Sequence, residues 1–199
     1  MPRLLLVRHA ATVGANGRYW GRTDHPLSQA GLAQARRIAG RLATEPAVAV
    51  HSSDRLRARA TAACLAPGLP AIVHPDLREL DFGYLEGLTW QEAARLYPQS
   101  EEFWSCRRLD VSLPGGESIA DLFARVGRFL AEVREGPEDQ ALLVVAHGGS
   151  LRALICLCLG LPPASLWKLK LDHASLTVLD LGHEGPILRL LNDTCHLQP

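Results

Sequence analysis

The sequence predicts an α/β fold, a three-layer sandwich in which helices cover both faces of a mostly parallel sheet. Short apolar runs at 4–7, 47–50, 71–73 and 141–146 are typical of buried strands, and amphipathic stretches separate them. Three of these runs lead directly into polar turns, at Arg8-His9, at His51-Ser52-Ser53 and at His147-Gly148. In an open parallel sheet the carboxyl ends of the strands meet in one crevice, where ligands bind. We therefore expect a site at that edge.

Composition indicates an ordinary globular chain. The 199 residues are 47% hydrophobic and 21% charged, which suits a single domain over 1–199 with a substantial core. The 21 basic and 21 acidic residues balance, so we expect neither a nucleic-acid partner nor a membrane surface. The four apolar residues at the start are too few for a signal peptide, and no run is long enough to span a membrane. The expected location is the cytoplasm.

Helix signals follow each strand. Ser28 is a candidate N-cap for a helix with an apolar stripe at Leu32, Ala35, Ala39 and Leu42. A second helix is predicted after Arg55, a third over 90–97, and a short one near 103–104. Ser118 and Asp121 resemble a capping box for a long helix, and a further helix after His147 should end at Gly160.

The end of the chain predicts an antiparallel edge. The runs 176–181 and 187–191 flank the turn 182–185, which is typical of a β-hairpin. Such a hairpin at the edge of the sheet is also a candidate surface for a homodimer.

Histidines and arginines gathered at the strand ends would suit phosphate chemistry. An imidazole nitrogen can attack phosphorus directly, while guanidinium groups neutralise the phosphoryl oxygens. For Arg8 and His9 alone, a strand followed by a solvated loop is the favoured interpretation. The coincidence with Ser53 and His147 at two further strand ends favours a site.

The same residues carry a resemblance to a known family that covers the whole chain. It rests on Leu5-Leu6-Val7-Arg8-His9 with Thr12, Ser52-Ser53 with Arg57-Ala58 and Thr61, Glu79, and Val144-Val145-Ala146-His147-Gly148-Gly149. This pattern resembles the histidine phosphatase superfamily in its phosphoglycerate-mutase-like branch. The resemblance implies the phosphoglycerate-mutase-like fold, and it implies a reaction that needs neither a metal nor another cofactor.

The resemblance also implies catalytic roles. His9 would be the nucleophile that becomes phosphohistidine, Arg8 and Arg57 would bind the phosphoryl group, and His147 would hydrogen-bond it. Glu79 would protonate the leaving group and then activate water. For the attack, one nitrogen of His9 must be unprotonated, so we expect its other nitrogen to bond a backbone carbonyl. The neighbouring arginines should also lower the pKa of His9.

Other assignments are less direct. Glu86 and Asp81 compete with Glu79 for the role of the acid. The sequence departs from the family where Ala10 follows the histidine, and where the family's asparagine would fall on Ala15, one place before Asn16. The residues expected to contact substrate, besides the two arginines, are Thr12, Asn16, Tyr19, Gly21 and Gly148.

The resemblance implies that a mutase would carry a long insertion between Glu79 and the Pro114-Gly115-Gly116 turn. This segment is short here, which favours hydrolysis. The stretch Gly17–Ser28, Phe103-Trp104 and the end Asn192-Asp193 with His196-Leu197 are similar to alpha-ribazole phosphatases. This similarity implies a phosphomonoester substrate, alpha-ribazole 5′-phosphate, in cobalamin biosynthesis. The alternatives are a broad-specificity or sugar-phosphate phosphatase, a phosphoglycerate mutase-like enzyme, an inactive phospholigand-binding module, and a metal hydrolase using His9, His51 and His147.

Overall fold

A six-stranded sheet runs through the centre of the protein in the computed structural model, which describes residues 2–14, 17–45, 47–106, 108–135, 140–182 and 185–198. The strands are β1 (Arg3–Arg8), β2 (Ala49–Ser53), β3 (Ala71–His74), β4 (Ala141–Ala146), β5 (Leu176–Gly182) and β6 (Gly185–Asp193). Their order in the sheet is β3-β2-β4-β1-β5-β6. The first four pair in parallel, while β5 and β6 are antiparallel. The predicted parallel sheet with an antiparallel edge is confirmed.

Helices cover both faces of this sheet. They are α1 (Gln29–Leu42), α2 (Leu56–Leu65), α3 (Trp90–Leu96), α4 (Ser100–Trp104), α5 (Ile119–Arg134) and α6 (Gly148–Leu159). Because side chains alternate along a strand, Leu5 and Val7 of β1 pack with α1 and α2, whereas Leu4 and Leu6 pack with α5 and α6. Two apolar layers therefore enclose the sheet, as a three-layer sandwich requires.

The helix ends follow the predicted capping residues. The Gly31 backbone N–H donates to Ser28 Oγ at 3.0 Å at the start of α1. Ser118 and Asp121 form the reciprocal capping box of α5, with two backbone-to-side-chain hydrogen bonds of 3.0 Å. Gly160 ends α6 with a left-handed φ of 64°, which glycine adopts without steric cost.

Two details differ from the sequence prediction. Strand β2 begins at Ala49 and continues to Ser53, so the polar residues expected in a turn are buried inside the sheet. Hydropathy stops at Val50, but pairing with β3 and β4 on both sides continues the strand. In α1 the predicted stripe is wrong at Leu32, which is 39% exposed, while Ile38 is fully buried.

The carboxyl ends of β1, β2 and β4 lie side by side, because β4 pairs with both of the others. These three strands lead into His9, into Ser53 and into His147. The hairpin of β5 and β6 forms one edge of the sheet, and its turn residues 183–184 lie outside the described residues. Within the described ranges, no helix is long and apolar enough to cross a membrane.

Candidate active site

His9 is buried in the turn that follows β1, and its hydrogen bonding determines which nitrogen is reactive. Its Nδ1 lies 2.9 Å from the carbonyl oxygen of Ala10, which can only accept, so Nδ1 carries the hydrogen. Nε2 therefore keeps its lone pair, as the sequence prediction requires. Burial, and next to it the charges of Arg8 and Arg57, lower the pKa of His9 well below its usual value. The imidazole is thus neutral near pH 7.

Arg8 presents one side of its guanidinium to the protein. Its Nη1 donates to the Leu171 carbonyl at 2.6 Å, and its Nη2 donates to Nε2 of His173 at 3.1 Å. Its Nε is buried and has no hydrogen-bond partner among the described residues. A buried donor without a partner is costly, which points to an acceptor supplied by a ligand.

Arg57 and His147 form a buried pair behind His9. Arg57 Nε donates to His147 Nδ1 at 3.2 Å. The other ring nitrogen of His147 then carries the hydrogen and donates to Ser53 Oγ at 2.9 Å. Burial, and next to it the interactions with His9 and Arg57, lower the pKa of His147 well below its usual value. Its ring lies against His9 with centroids 5.1 Å apart.

Arg57 also holds the loop between β1 and α1 in place. Arg57 Nη1 donates to the Thr23 carbonyl at 2.8 Å, and Nη2 donates to the Gly21 carbonyl at 3.0 Å. The backbone N–H groups of Gly21 and Thr23 in turn donate to the carboxylate of Glu86, at 2.8 to 3.1 Å. Glu86 is therefore committed to the structure of this loop.

Glu79 lines the cavity and is oriented by backbone donors. Leu80 N and Gly149 N both donate to its Oε1 at 2.8 Å. The second donor lies in the first turn of α6, where the helix dipole favours a negative charge. Asp81, the other competing acid, is paired with Arg22 and accepts from Gly83 N at 3.1 Å. Of the three acids, Glu79 is the one that lines the cavity.

The cavity at this edge has a volume of about 150 Å³. It is lined by Arg8, His9, Thr12, Arg18, Tyr19, Trp20, His25, Arg57, Glu79, Phe82 and His173. Three arginines against one carboxylate make the cavity electropositive, which favours a phosphate dianion. On its aromatic side Tyr19 packs on Phe82 and on Trp104, with ring centroids 4.9 Å and 5.4 Å apart. Trp20 packs edgewise on His25 at 4.4 Å.

The structure brings most of the expected residues together. Thr12 and Tyr19 line the cavity, whereas Gly21 contributes through its backbone bonds to Arg57 and Glu86. A Cβ added to Gly148 would lie 3.6 Å from Glu79 Oε2 and 3.7 Å from Arg8 Cζ, so this glycine keeps open the space between them. Asn16 lies outside the described residues.

Two histidines depart from the sequence prediction. His173, which the sequence analysis did not single out, lines the cavity with its ring centroid 5.1 Å from that of His9. His51 instead bonds His74, with 2.9 Å between His51 Nδ1 and His74 Nε2, and packs against Phe129. In the part of the chain that the structure describes, no group of potential metal ligands joins His9, His51 and His147.

Comparisons with known proteins identify a family. The model of the histidine phosphatase superfamily (branch 1) matches residues 4–194. Phosphoserine phosphatase 1 of Hydrogenobacter thermophilus is 34% identical, over 99% of this chain and 95% of the relative. The metal-independent phosphoserine phosphatase of Arabidopsis thaliana is 36% identical, over 98% of this chain and 82% of the relative. The crystal structure of the alpha-ribazole phosphatase of Shigella flexneri superposes with a TM-score of 0.86 at 30% identity, covering 96% of each chain.

Proposed function

This chain belongs to the histidine phosphatase superfamily and is a phosphatase, and we propose that it hydrolyses small phosphomonoesters through a phosphohistidine formed on His9. One observation carries the proposal. The nitrogen of His9 that keeps its lone pair belongs to a buried, neutral ring in a cavity that also contains two guanidinium groups and a carboxylate. These are the groups that phosphoryl transfer through an enzyme nucleophile requires.

In the first half of the reaction, Nε2 of His9 attacks phosphorus and the ester P–O bond breaks. Arg8 and Arg57 bind the phosphoryl oxygens, and each charge-assisted hydrogen bond contributes about 1.5–3 kcal/mol. Glu79, a carboxylate in the free site, takes up a proton from solvent when the ester binds and gives that proton to the departing oxygen, so the product leaves as an alcohol. His147, expected from the resemblance to hydrogen-bond the phosphoryl group itself, instead has one ring nitrogen on Arg57 and the other on Ser53. Its role here is to orient the Arg57 guanidinium through Nδ1.

In the second half, the Glu79 carboxylate takes a proton from water, and the resulting hydroxide attacks the phosphohistidine. The P–N bond breaks, inorganic phosphate is released, and His9 returns to its neutral state. The Ala10 carbonyl keeps the proton on Nδ1 throughout the cycle, so the same nitrogen is ready for the next attack.

The size of the cavity bears on the substrate. At about 150 Å³ it is smaller than the roughly 300 Å³ at which drug-sized ligand pockets begin, so it suits a phosphoryl group with a small leaving group. Arg18 lines the cavity beyond the phosphate-binding arginines, where its Nη1 donates to the Gly87 carbonyl at 2.7 Å and to the Glu92 carboxylate at 2.9 Å. These features favour a small, acidic phosphomonoester such as phosphoserine, which is also the substrate named for two of the relatives.

Alpha-ribazole 5′-phosphate, the substrate expected from the sequence, is the second candidate. Two observations favour this substrate: the likeness to the Shigella enzyme, and the position of Trp20 at the cavity wall. The ring of Trp20 would have to stack on the base outside the cavity, because the base is too large to enter beside the phosphate.

A panel of substrates tests these proposals. We expect the highest kcat/KM on phosphoserine, a lower value on alpha-ribazole 5′-phosphate, and weak activity on simple sugar phosphates, with His9→Ala as the inactive control. A preference for alpha-ribazole 5′-phosphate would reverse the order of the two candidates. Comparable values on all sugar phosphates would show a broad-specificity enzyme.

The homodimer through the exposed edge strand β6 stays a prediction, for which sedimentation analysis is the test.

A further inference from the structure

The loop between the 3₁₀ turn Pro163–Lys168 and β5 brings His173 into the phosphate site. Its imidazole accepts a hydrogen bond from Arg8 and packs against the ring of His9. The next residue, Ala174, donates its backbone N–H to the carbonyl of Arg8 at 3.0 Å. One loop thus contacts both Arg8, the proposed phosphate-binding residue, and the ring of His9, the proposed nucleophile.

The chemistry of this contact suits an arginine that must bind an anion. A guanidinium needs acceptors on its protein side, and a carboxylate in that position would neutralise its charge. A neutral imidazole accepts the hydrogen bond and leaves the positive charge available. Burial, and next to it the charge of Arg8, lower the pKa of His173 to about 4, so the ring is neutral at physiological pH.

The conformation of this loop is imposed by the end of the chain. Asn192 accepts from the backbone N–H of Asp172 at 2.6 Å and donates through Nδ2 to its carboxylate at 2.9 Å. His196 Nε2 donates to the Ala174 carbonyl at 2.9 Å. Ala174 has a φ of 55°, a left-handed conformation that costs energy for a residue with a Cβ. We call Asn192 and His196 the C-terminal clamp, since their bonds stabilise the strained loop.

We propose that His173 is a positioning residue for the phosphate site, which it serves by fixing the Arg8 guanidinium beside His9, and that the C-terminal clamp acts through it. The inference rests on the proposed function, since it assumes that Arg8 binds the phosphoryl group. Arg8 Nε then points to the bound oxyanion because Nη1 and Nη2 are already engaged by Leu171 and His173.

Two substitutions of His173 separate positioning from packing. His173→Leu keeps an apolar side chain but removes the acceptor, while His173→Asn supplies an amide oxygen that can accept from Arg8. Calorimetry of orthovanadate binding reads out the phosphate site without turnover, and circular dichroism checks folding. We expect vanadate to bind at least about tenfold more weakly to His173→Leu, a loss of roughly one charge-assisted hydrogen bond, with His173→Asn recovering most of it.

The kinetic readout should agree with the binding readout. For His173→Leu we expect KM for the best substrate to rise and kcat to fall, because Arg8 serves both the ground state and the transition state. Wild-type affinity for vanadate in His173→Leu would overturn the inference, as would an equal loss in His173→Asn and His173→Leu. If the wild-type protein binds vanadate but hydrolyses no phosphomonoester, the proposed function fails while the positioning role can still be measured.

The clamp is tested by a double-mutant cycle. Asn192→Asp keeps a residue that tolerates the left-handed φ of 54° found there, but it repels the Asp172 carboxylate. We expect weaker vanadate binding in Asn192→Asp and little additional loss when it is combined with His173→Leu, since both changes release the same loop. Arg189→Gln, an exposed change on the same strand, is the matched control. Fully additive losses would show that Asn192 does not act through His173.

Discussion

Replacing Gly149 with alanine should disable the acid without harming the fold. A Cβ added at this position would lie 2.3 Å from Glu79 Oε1, against at least 3.4 Å for ordinary van der Waals contact. The carboxylate therefore has to move by roughly 1 Å, and it then loses the 2.8 Å hydrogen bonds from Leu80 N and Gly149 N. The helix itself tolerates the change, because alanine is a better helix former than glycine by about 1 kcal/mol.

We expect Gly149→Ala to lower the catalytic rate. A displacement of about 1 Å in a positioned group can reduce a rate about 100-fold, which corresponds to about 2.7 kcal/mol in the activation barrier. An alkyl phosphate needs a proton on its leaving oxygen, whereas p-nitrophenyl phosphate has a good leaving group. We expect kcat/KM, which reports the phosphorylation half alone, to fall about 100-fold for the alkyl ester in Gly149→Ala and much less for p-nitrophenyl phosphate.

Gly40 offers a matched control in α1. A Cβ added there meets no atom within 4 Å, so Gly40→Ala should leave both rates unchanged. Steady-state kinetics on the two esters, together with thermal melts of both variants, make the comparison. If Gly149→Ala kept wild-type kcat/KM on the alkyl ester, Glu79 would not be the acid that this geometry indicates.

Three further predictions follow from other contacts. Glu79→Gln should lower kcat/KM by about 10²–10⁴-fold for the alkyl ester and less for p-nitrophenyl phosphate; an equal loss of kcat/KM on both esters would assign the acid elsewhere. Glu86→Gln should weaken the charge-assisted bonds to the loop, lowering the free energy of unfolding by about 1–3 kcal/mol and raising KM, whereas unchanged denaturant midpoints would contradict its structural role. Burial lowers the folded pKa of His9, His147 and His173, so the unfolded chain binds more protons once the pH falls below about 6.5. Each of these histidines should therefore remove about 1.4 kcal/mol of stability per pH unit until its folded pKa is reached, and urea titrations at pH 7 and pH 5 with equal stabilities would refute this coupling.

The elements with strong local signals could be predicted from the sequence. Strand β4 has the predicted bounds because its six residues are apolar and are followed at once by a glycine-rich turn. Capping boxes such as Ser118 with Asp121 depend on side chains only three residues apart, so their recognition needs no tertiary information.

Strand β2 shows where local signals fail. Its last residues are polar, and a hydropathy pattern ends the strand at Val50 although the ladder continues to Ser53. The buried Ser53 hydroxyl accepts a hydrogen bond from His147, a residue 94 positions further along the chain. Such long-range contacts determine where the strand ends, and the local sequence pattern does not show them.

His173 was missed for the same reason. It directly follows the alternating run 168–172, which carries no signal for a site. It meets His9 because β5 pairs antiparallel with β1, placing Leu176 opposite Val7. The sequence signal that bears on this loop is the terminal pattern that includes Asn192 and His196, which by itself indicates only a likeness to a family. Their bonds to the loop give that pattern a physical role.

The central claim is that His9 carries the phosphoryl group during turnover. The direct measurement is to quench the enzyme in alkali during steady-state hydrolysis of a phosphomonoester and to locate the modified residue by mass spectrometry. We predict a phosphate on His9 that survives alkali, is lost in acid, and is absent from His9→Ala. A fully active wild-type enzyme that carries no phosphate on His9, or a His9→Ala variant with full activity, would contradict the account.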